Sequence, residues 1–158
     1  MSLIYKSNFG VIRIEAKNGA VSRVCLSNLE PQDYSGALES APETELLLEA
    51  EKQLEEYFAG KRKIFDLPLS FAHCTDFMTR VYKELININY GETAGYKDIA
   101  ERVGRPKAYR AVGLASNRNP LAIIVPCHRV VGSDGGLVGY AGGLDMKERL
   151  LDMERRKS

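Results

Sequence analysis

The sequence predicts an α/β N-terminal domain, a small β-sheet plus a helix, followed by a mainly α C-terminal domain with a helix-turn-helix. Three features carry that prediction. Residues 3–27 hold short apolar–polar runs on either side of Asn18-Gly19. Residues 43–59 repeat apolar side chains at helical spacing. Residues 93–117 hold two short helical stretches broken at Gly104.

The first run, Val11 to Ala16, and the second, Val21 to Leu26, read as strands. Asn18-Gly19 between them is a hairpin signal, because both central positions of a type I′ turn need φ > 0. Residues 28–42 contain Pro31, Gly36 and Pro42 and read as a loop. Leu47, Ala50, Leu54 and Phe58 then mark one face of a helix that Gly60 ends. Lys61-Arg62-Lys63 suits the negative end of its dipole. The chain from Pro68 to His73 reads as irregular, and a boundary near Ala72–Thr75 gives domains 1–73 and 74–158. Thr75 opens a helix with Phe77, Met78, Val81, Tyr82 and Leu85 on its apolar side. Thr93 is the expected N-cap of the next, with Tyr96, Ile99, Ala100 and Val103 as its stripe. After Gly104, Pro106 sits in the expected first turn of a helix over 107–117. Two short helices joined by a Gly-containing turn match a helix-turn-helix. Leu121 to Val125 reads as a buried extended segment that Pro126 ends. Six glycines within 132–143 mark a loop that needs unusual backbone angles or close approach to a ligand. A last helix covers 145–156.

The 158 residues, 44% apolar and 27% charged, have the balance of a globular protein. No apolar run nears the roughly 18 residues that span a bilayer, which excludes a membrane-spanning helix. Met1 to Lys6 has no basic segment leading into an apolar one, so no secretory signal is expected. Three cysteines, Cys25, Cys74 and Cys127, are too few and odd in number for a disulfide framework and point to a reducing, cytoplasmic compartment. The net charge of +1 hides an asymmetry. Residues 1–78 carry 8 basic and 12 acidic side chains, whereas 79–158 carry 14 basic and 9 acidic. Lys97, Arg102, Arg105, Lys107, Arg110 and Arg118 face only Asp98 and Glu101 within 97–118. A polyanion contact and a solvated helix face both fit this cluster.

The residues that carry chemistry lie in Pro126-Cys127-His128-Arg129-Val130. A cysteine beside a histidine, after a buried run and before a glycine-rich loop, is a candidate nucleophile. A free thiol has a pKa of about 8.5, and a nearby imidazole or arginine raises its thiolate fraction. A small core hydrophobe is the other reading of such a cysteine. Structural zinc is disfavoured: there is no C-x2-C spacing, and adjacent residues such as His73-Cys74 rarely reach one metal together. A cysteine protease needs a separated histidine, and His73 has no supporting motif. A dinucleotide site is rejected because the glycines lack the strand–turn–helix context.

Pro126-Cys127-His128-Arg129-Val130 resembles the signature of the O6-alkylguanine-DNA alkyltransferases, also called methylated-DNA–protein-cysteine methyltransferases. Gly91-Glu92 to Tyr96, Arg105 to Gly113, Asn119-Pro120 and Gly139 to Leu144 up to Glu154 match the family in order and spacing. The resemblance covers about 90–154 and implies DNA repair by stoichiometric transfer of an alkyl group from O6-alkylguanine, with O4-alkylthymine a further candidate substrate. It implies Cys127 as acceptor, His128 as the base acting through a water, Glu154 as its orienter and Asn119 as the hinge. Tyr96 matches the tyrosine that approaches the flipped guanine and the adjacent phosphate. Arg110 matches the arginine that fills the gap in the stack, on a helix whose Ala111 and Gly113 face the DNA. Arg129, Val130, Tyr140 and Ala141 complete the implied DNA and base contacts. Ala122 stands where some relatives carry proline against the base. No cofactor and no metal are implied. The implied partner is double-stranded DNA, bound through the minor groove by a monomer, with no membrane. The implied location is cytoplasmic, at the nucleoid in a prokaryote or with nuclear access in a eukaryote. A lesion sensor that flips bases without transfer, and a helix-turn-helix regulator, are the competing classes. Cys127 counts against the first and the absent dimerisation segment against the second.

Overall fold

The computed structural model describes residues 2–27, 43–132 and 143–157. The chain divides into two compact units, Met1–Ala72 and His73–Ser158.

The first unit is built on a three-stranded antiparallel sheet in the order β1 (Ser2–Ser7), β2 (Gly10–Lys17), β3 (Ala20–Ser27). Asn18 and Gly19 take φ of 53° and 78°, as a primed turn between β2 and β3 demands. The register sets Ile12 opposite Leu26 and Ile14 opposite Val24, so these buried side chains share a face. That face meets α1 (Thr44–Phe58), whose Leu47, Ala50, Leu54 and Tyr57 are buried. Gln53 lies in the same stripe and is tied to the backbone of Asp66 by two hydrogen bonds of 2.9 and 3.0 Å, which fixes the chain leaving the helix. Gly60 (φ 74°) closes the helix: its N–H donates to Tyr57 O, and the Lys61 N–H to Glu56 O. The backbone thus satisfies the helix end, and Arg62 turns to the Glu56 carboxylate (3.5 Å) and the Ile64 carbonyl.

The second unit begins with α2 (Asp76–Ile86), capped by the Thr75 hydroxyl, which accepts from the Met78 N–H at 3.1 Å. Its Val81, Tyr82 and Leu85 are buried. A two-residue strand β4 (Ala94–Gly95) leads into α3 (Tyr96–Arg102), and α4 (Tyr109–Asn117) follows. The N-cap of α3 is Gly95, two residues beyond the expected Thr93. The Asp98 carboxylate takes the Gly95 N–H at 2.8 Å, and strand pairing of Ala94 holds the preceding residues extended. The helix pair is present, turning at Gly104 (φ 79°). Pro106 lies in the turn, and α4 starts two residues later than expected, at Tyr109. Its partner helix ends as α1 does, with Arg105 N–H donating to Ala100 O.

The largest departure from expectation is at 121–125. Apart from half-buried Ala122 this run is buried, but it is not extended. Ile123 adopts φ 73°, the Ile124 N–H bonds the Ala122 carbonyl (2.8 Å), and the chain reverses. Among the described residues the run pairs with itself, through the Ala122–Val125 bridge, and side-chain amide bonds from Asn119 hold its ends. The chain then enters a single 3₁₀ turn, Cys127–Arg129, and β5 (Val130–Val131), which pairs parallel with β4. The unit ends in α5 (Leu144–Lys157). The glycine-rich stretch lies largely outside the described residues. No described helix is long and apolar enough to cross a membrane.

Candidate active site

Asn119 organises the approach to Cys127. Its Oδ1 accepts from the Leu121 N–H (3.0 Å), and its Nδ2 donates to the Val125 carbonyl (2.8 Å). Both ends of the reversed loop are therefore held by one side chain. Pro126 (φ −80°, ψ 64°) forms an inverse γ-turn, closed by the Cys127 N–H on Val125 O at 2.8 Å. Proline suits that position because its ring fixes φ near −65°.

Cys127 is 5% exposed. Burial pushes its thiol above the ordinary range, against a hydrogen bond with Asn119 and the nearby Lys147 charge, which pull it down. The resting group is therefore a thiol at neutral pH, not the enriched thiolate that a neighbouring imidazole suggests from sequence. Deprotonation has to accompany reaction.

His128 and Glu154 lie fully buried, with His128 Nε2 2.6 Å from Glu154 Oε2. Burial lowers the His128 pKa below its ordinary value in spite of the carboxylate, so the imidazole is neutral. A carboxylate only accepts, so Nε2 carries the proton and Nδ1 is the basic nitrogen. Burial acts to raise the Glu154 pKa, but the hydrogen bonds and charges of His128 and Arg129 prevail and hold it at about 2. Glu154 also accepts from Arg129 Nε (2.8 Å), Arg129 Nη2 (3.1 Å) and the Gly91 N–H (3.3 Å). With both oxygens engaged, the carboxylate cannot swing away from the imidazole.

Arg129 corrects one expectation. Its side chain is 7% exposed, and its remaining nitrogen Nη1 donates to the Ile88 carbonyl at 2.7 Å. A guanidinium held this way is turned inward, not toward a nucleic acid. Desolvation of an arginine demands paired partners, and Glu154 supplies them.

Two site residues of α5 fall on one face: Lys147 and Glu154 are seven apart. Lys147 was missed from sequence. It is fully buried, with Nζ 2.6 Å from the Val130 carbonyl and 6.0 Å from the Tyr96 ring centroid. Burial lowers its pKa. The available signal was its place in the buried stripe with Leu150, Leu151 and Glu154, where a charged residue needs a reason. The Val130 carbonyl faces this lysine, and the β4–β5 pairing sets Val130–Val131 beside the start of α3, where half-buried Tyr96 sits. Burial raises the Tyr96 hydroxyl pKa, as does the proximity of Cys127. The structure thus gathers Cys127, His128, Glu154, Asn119, Tyr96 and Lys147 into one unit.

Arg110 and Ala111 are exposed on α4, while Gly113 is half-buried against Tyr96. Lys97, Arg102, Arg105, Lys107 and Arg118 are exposed with Arg110, so the basic cluster is a surface. Ala122 is half-buried. Tyr140 and Ala141 lie outside the described residues. Among the described residues no group of histidine, cysteine and carboxylate side chains is arranged to hold a metal. Cys25 and Cys74 are half-buried free thiols, the former accepting from Arg23 Nε at 3.2 Å.

A helix-turn-helix with a basic surface, joined to a buried thiol backed by a histidine–carboxylate pair, defines a class of DNA-binding proteins that carry a cysteine nucleophile. Comparison with known proteins gives the family. Residues 76–156 match the model of the 6-O-methylguanine DNA methyltransferase, DNA binding domain, and residues 3–71 that of its ribonuclease-like domain. The chain belongs to the 6-O-methylguanine DNA methyltransferase family. A methylated-DNA–protein-cysteine methyltransferase of Methanosarcina barkeri is 62% identical over 106 residues, spanning 67% of this chain and 66% of that protein. The constitutive methylated-DNA–protein-cysteine methyltransferase of Bacillus subtilis is 46% identical over 92% of this chain and 90% of its own length. The crystal structure of Mycobacterium tuberculosis OGT in complex with DNA superimposes with a TM-score of 0.85 at 39% identity, covering 99% of this chain and 94% of that one.

Proposed function

We propose that this protein repairs DNA by moving the alkyl group of O6-alkylguanine onto Cys127, once per molecule. One observation carries the reading: the buried Cys127 is followed by a neutral His128 locked to an ionised Glu154, in the unit that bears the basic helix pair. Family membership and the DNA complex of a relative support it.

The exposed basic side chains on α3 and α4 hold the duplex by its phosphates, without reading sequence. The alkylated base leaves the stack, at a cost of a few kcal/mol that a weakened lesion pair reduces. Arg110 occupies the gap. The thiol proton passes to His128 Nδ1 through a water, and Glu154 stabilises the imidazolium that results. The sulfur attacks the alkyl carbon in line; the S–C bond forms and the C–O6 bond breaks. The departing guanine takes a proton relayed from the Tyr96 hydroxyl, which is restored from the imidazolium. The products are guanine and a cysteine thioether, and among the described residues no group in the site attacks a thioether. Action on DNA supports a location in the compartment that holds the chromosome: the cytoplasm, at the nucleoid, in a prokaryote, or with access to the nucleus in a eukaryote.

Intact-protein mass spectrometry after incubation with a duplex carrying O6-methylguanine tests this. One methyl group per molecule is expected, mapped to the peptide holding Cys127, with none in Cys127→Ala. Repeated turnover, or methyl uptake by Cys127→Ala, overturns the reading.

A further inference from the structure

Residues 88–91, in the link between α2 and β4, reach the buried Arg129–Glu154 pair three times. The Ile88 carbonyl accepts from Arg129 Nη1 at 2.7 Å, the Tyr90 ring centroid lies 5.7 Å from the guanidinium carbon, and the Gly91 N–H donates to Glu154 Oε1 at 3.3 Å. A tight turn presents the last two. The Glu92 N–H closes it on the Asn89 carbonyl at 3.0 Å, and Gly91 takes φ 82° at its third position, the angle a type II turn requires there. Tyr90 stands at the corner before it, half-buried. The guanidinium accounts for an aromatic residue at that corner. Its N–H donors all lie in one plane, where Glu154 takes Nε and Nη2 and the Ile88 carbonyl takes Nη1. The faces of the plane carry no donor, so a π-face is a group that can hold one, and the Tyr90 ring lies over it. The Nη2–Oε2 contact, at 3.1 Å, is the longer of the two to Glu154 and the first to fail if the plane tilts. Oε2 is also the oxygen 2.6 Å from His128 Nε2. Ring, guanidinium, carboxylate and imidazole thus form one series.

We infer that Tyr90 is a positioning residue for the reaction: its ring pins the plane of the Arg129 guanidinium, which fixes both oxygens of Glu154 and, through Oε2, the His128 imidazole. The inference rests on the repair function proposed above, in which His128 is the base. The charges that bear on His128 are Arg129 of its own turn and Glu154 and Lys147 of α5; the two cations lower its pKa and the carboxylate raises it. A guanidinium that tilts away from Oε2 offsets less of the carboxylate charge. Loss of the ring should therefore raise the His128 pKa while leaving the imidazole less firmly held.

NMR titration of the imidazole protons, on the protein without DNA, tests this, with the exposed His73 as internal reference. Tyr90→Leu removes the π-face and Tyr90→Phe keeps it. His128 is expected to titrate at higher pH in Tyr90→Leu and at the wild-type pH in Tyr90→Phe. Single-turnover methyl transfer from a duplex carrying O6-methylguanine should slow about 10-fold in Tyr90→Leu, as slight misplacement of a reacting group does, with DNA affinity unchanged. Tyr90→Phe should restore the rate. A ring that served stability alone would leave the His128 titration where it is. Should Tyr90→Leu fail to fold, a ring-fluorinated phenylalanine at position 90 keeps the shape and weakens the π-face, and its His128 should titrate above that of Tyr90→Phe. A His128 titration unmoved in whichever of these two variants folds, or moved equally in Tyr90→Phe, overturns the role of the ring. A wild type that takes up no methyl group refutes the repair reading alone, because the titration is read without DNA.

Discussion

At Cys127 two opposing influences meet: burial favours the neutral thiol, and the Lys147 ammonium with the Asn119 amide favours the thiolate. Burial prevails, so the resting group is the thiol, a weaker nucleophile than the thiolate. The balance gives a residue-scale prediction. Lys147→Met conserves volume while removing the charge, so the thiol pKa must rise further. The pH profile of Cys127 alkylation by iodoacetamide, followed by peptide mass, should move to higher pH; an unmoved profile means that the lysine serves only the Val130 carbonyl. Arg129 teaches the same lesson about location. Its neighbours in sequence are the His128 imidazole and a strand, and the buried Glu154 explains why its charge turns inward.

The elements show how a few residues set a geometry. The reversal at 121–126 places Cys127 by two γ-type turns, and Ile123 at φ 73° is an unfavourable conformation for a β-branched residue. Asn119 compensates by bonding both ends of the loop. Asn119→Ala leaves the Leu121 N–H and Val125 C=O without that partner and should cost about 1–3 kcal/mol in chemical denaturation, with slower transfer as the thiol loses its hydrogen bond. A change confined to activity, with stability intact, argues against the bracing role. In α4, Gly113 invites the opposite change. A Cβ there meets Tyr96 ring carbons at 3.7 and 3.8 Å, ordinary contact distances. Gly113→Ala should therefore raise stability by roughly 0.5–1 kcal/mol, seen as a higher unfolding midpoint. A lower midpoint indicates that Tyr96 has no freedom to yield.

Legibility at this scale followed locality. The hairpin, α1, α2 and the helix pair were readable because apolar spacing and Asn18, Gly60, Thr75 and Gly104 encode them within a few residues. The N-cap of α3 was misplaced to Thr93 because β4 exists only through pairing with β5, 36 residues away in the chain. The reversal at 121–125 was read as extended because burial and apolarity do not distinguish a strand from a turn held by one asparagine.

For the whole molecule, the buried network couples folding to pH. Glu154 titrates at about 2 in the folded protein, below the 4.5 of a free glutamate. Its contribution is complete above about pH 4.5 and disappears as pH falls through about 2. His128, with its pKa also lowered by burial, acts in the same direction. The unfolded chain takes up that proton first, so stability starts to decline below the ordinary histidine pKa of about 6.5. Urea unfolding midpoints should fall steadily from pH 7 to pH 4. Glu154→Gln leaves the Arg129 guanidinium buried without its anion and should lower stability by about 3–5 kcal/mol at neutral pH. The same variant should flatten the steepest acid limb. A wild-type midpoint constant from pH 7 to pH 4 contradicts the neutral, buried assignment of His128.

The sequence by itself determined the β2–β3 hairpin, α1, α2 and the helix pair, which follow from turn chemistry and periodicity, both short-range; Cys127, His128 and Glu154 entered as candidates together only through the resemblance to a known family. Only the tertiary structure decided the protonation of Cys127, the inward turn of Arg129 and the presence of Lys147 in the site. Each depends on desolvation and on charges brought together from distant parts of the chain: Gly91 and Glu154 are 63 residues apart, His128 and Glu154 are 26. Solvation is a property of the assembled interior, and no local stretch of sequence carries it.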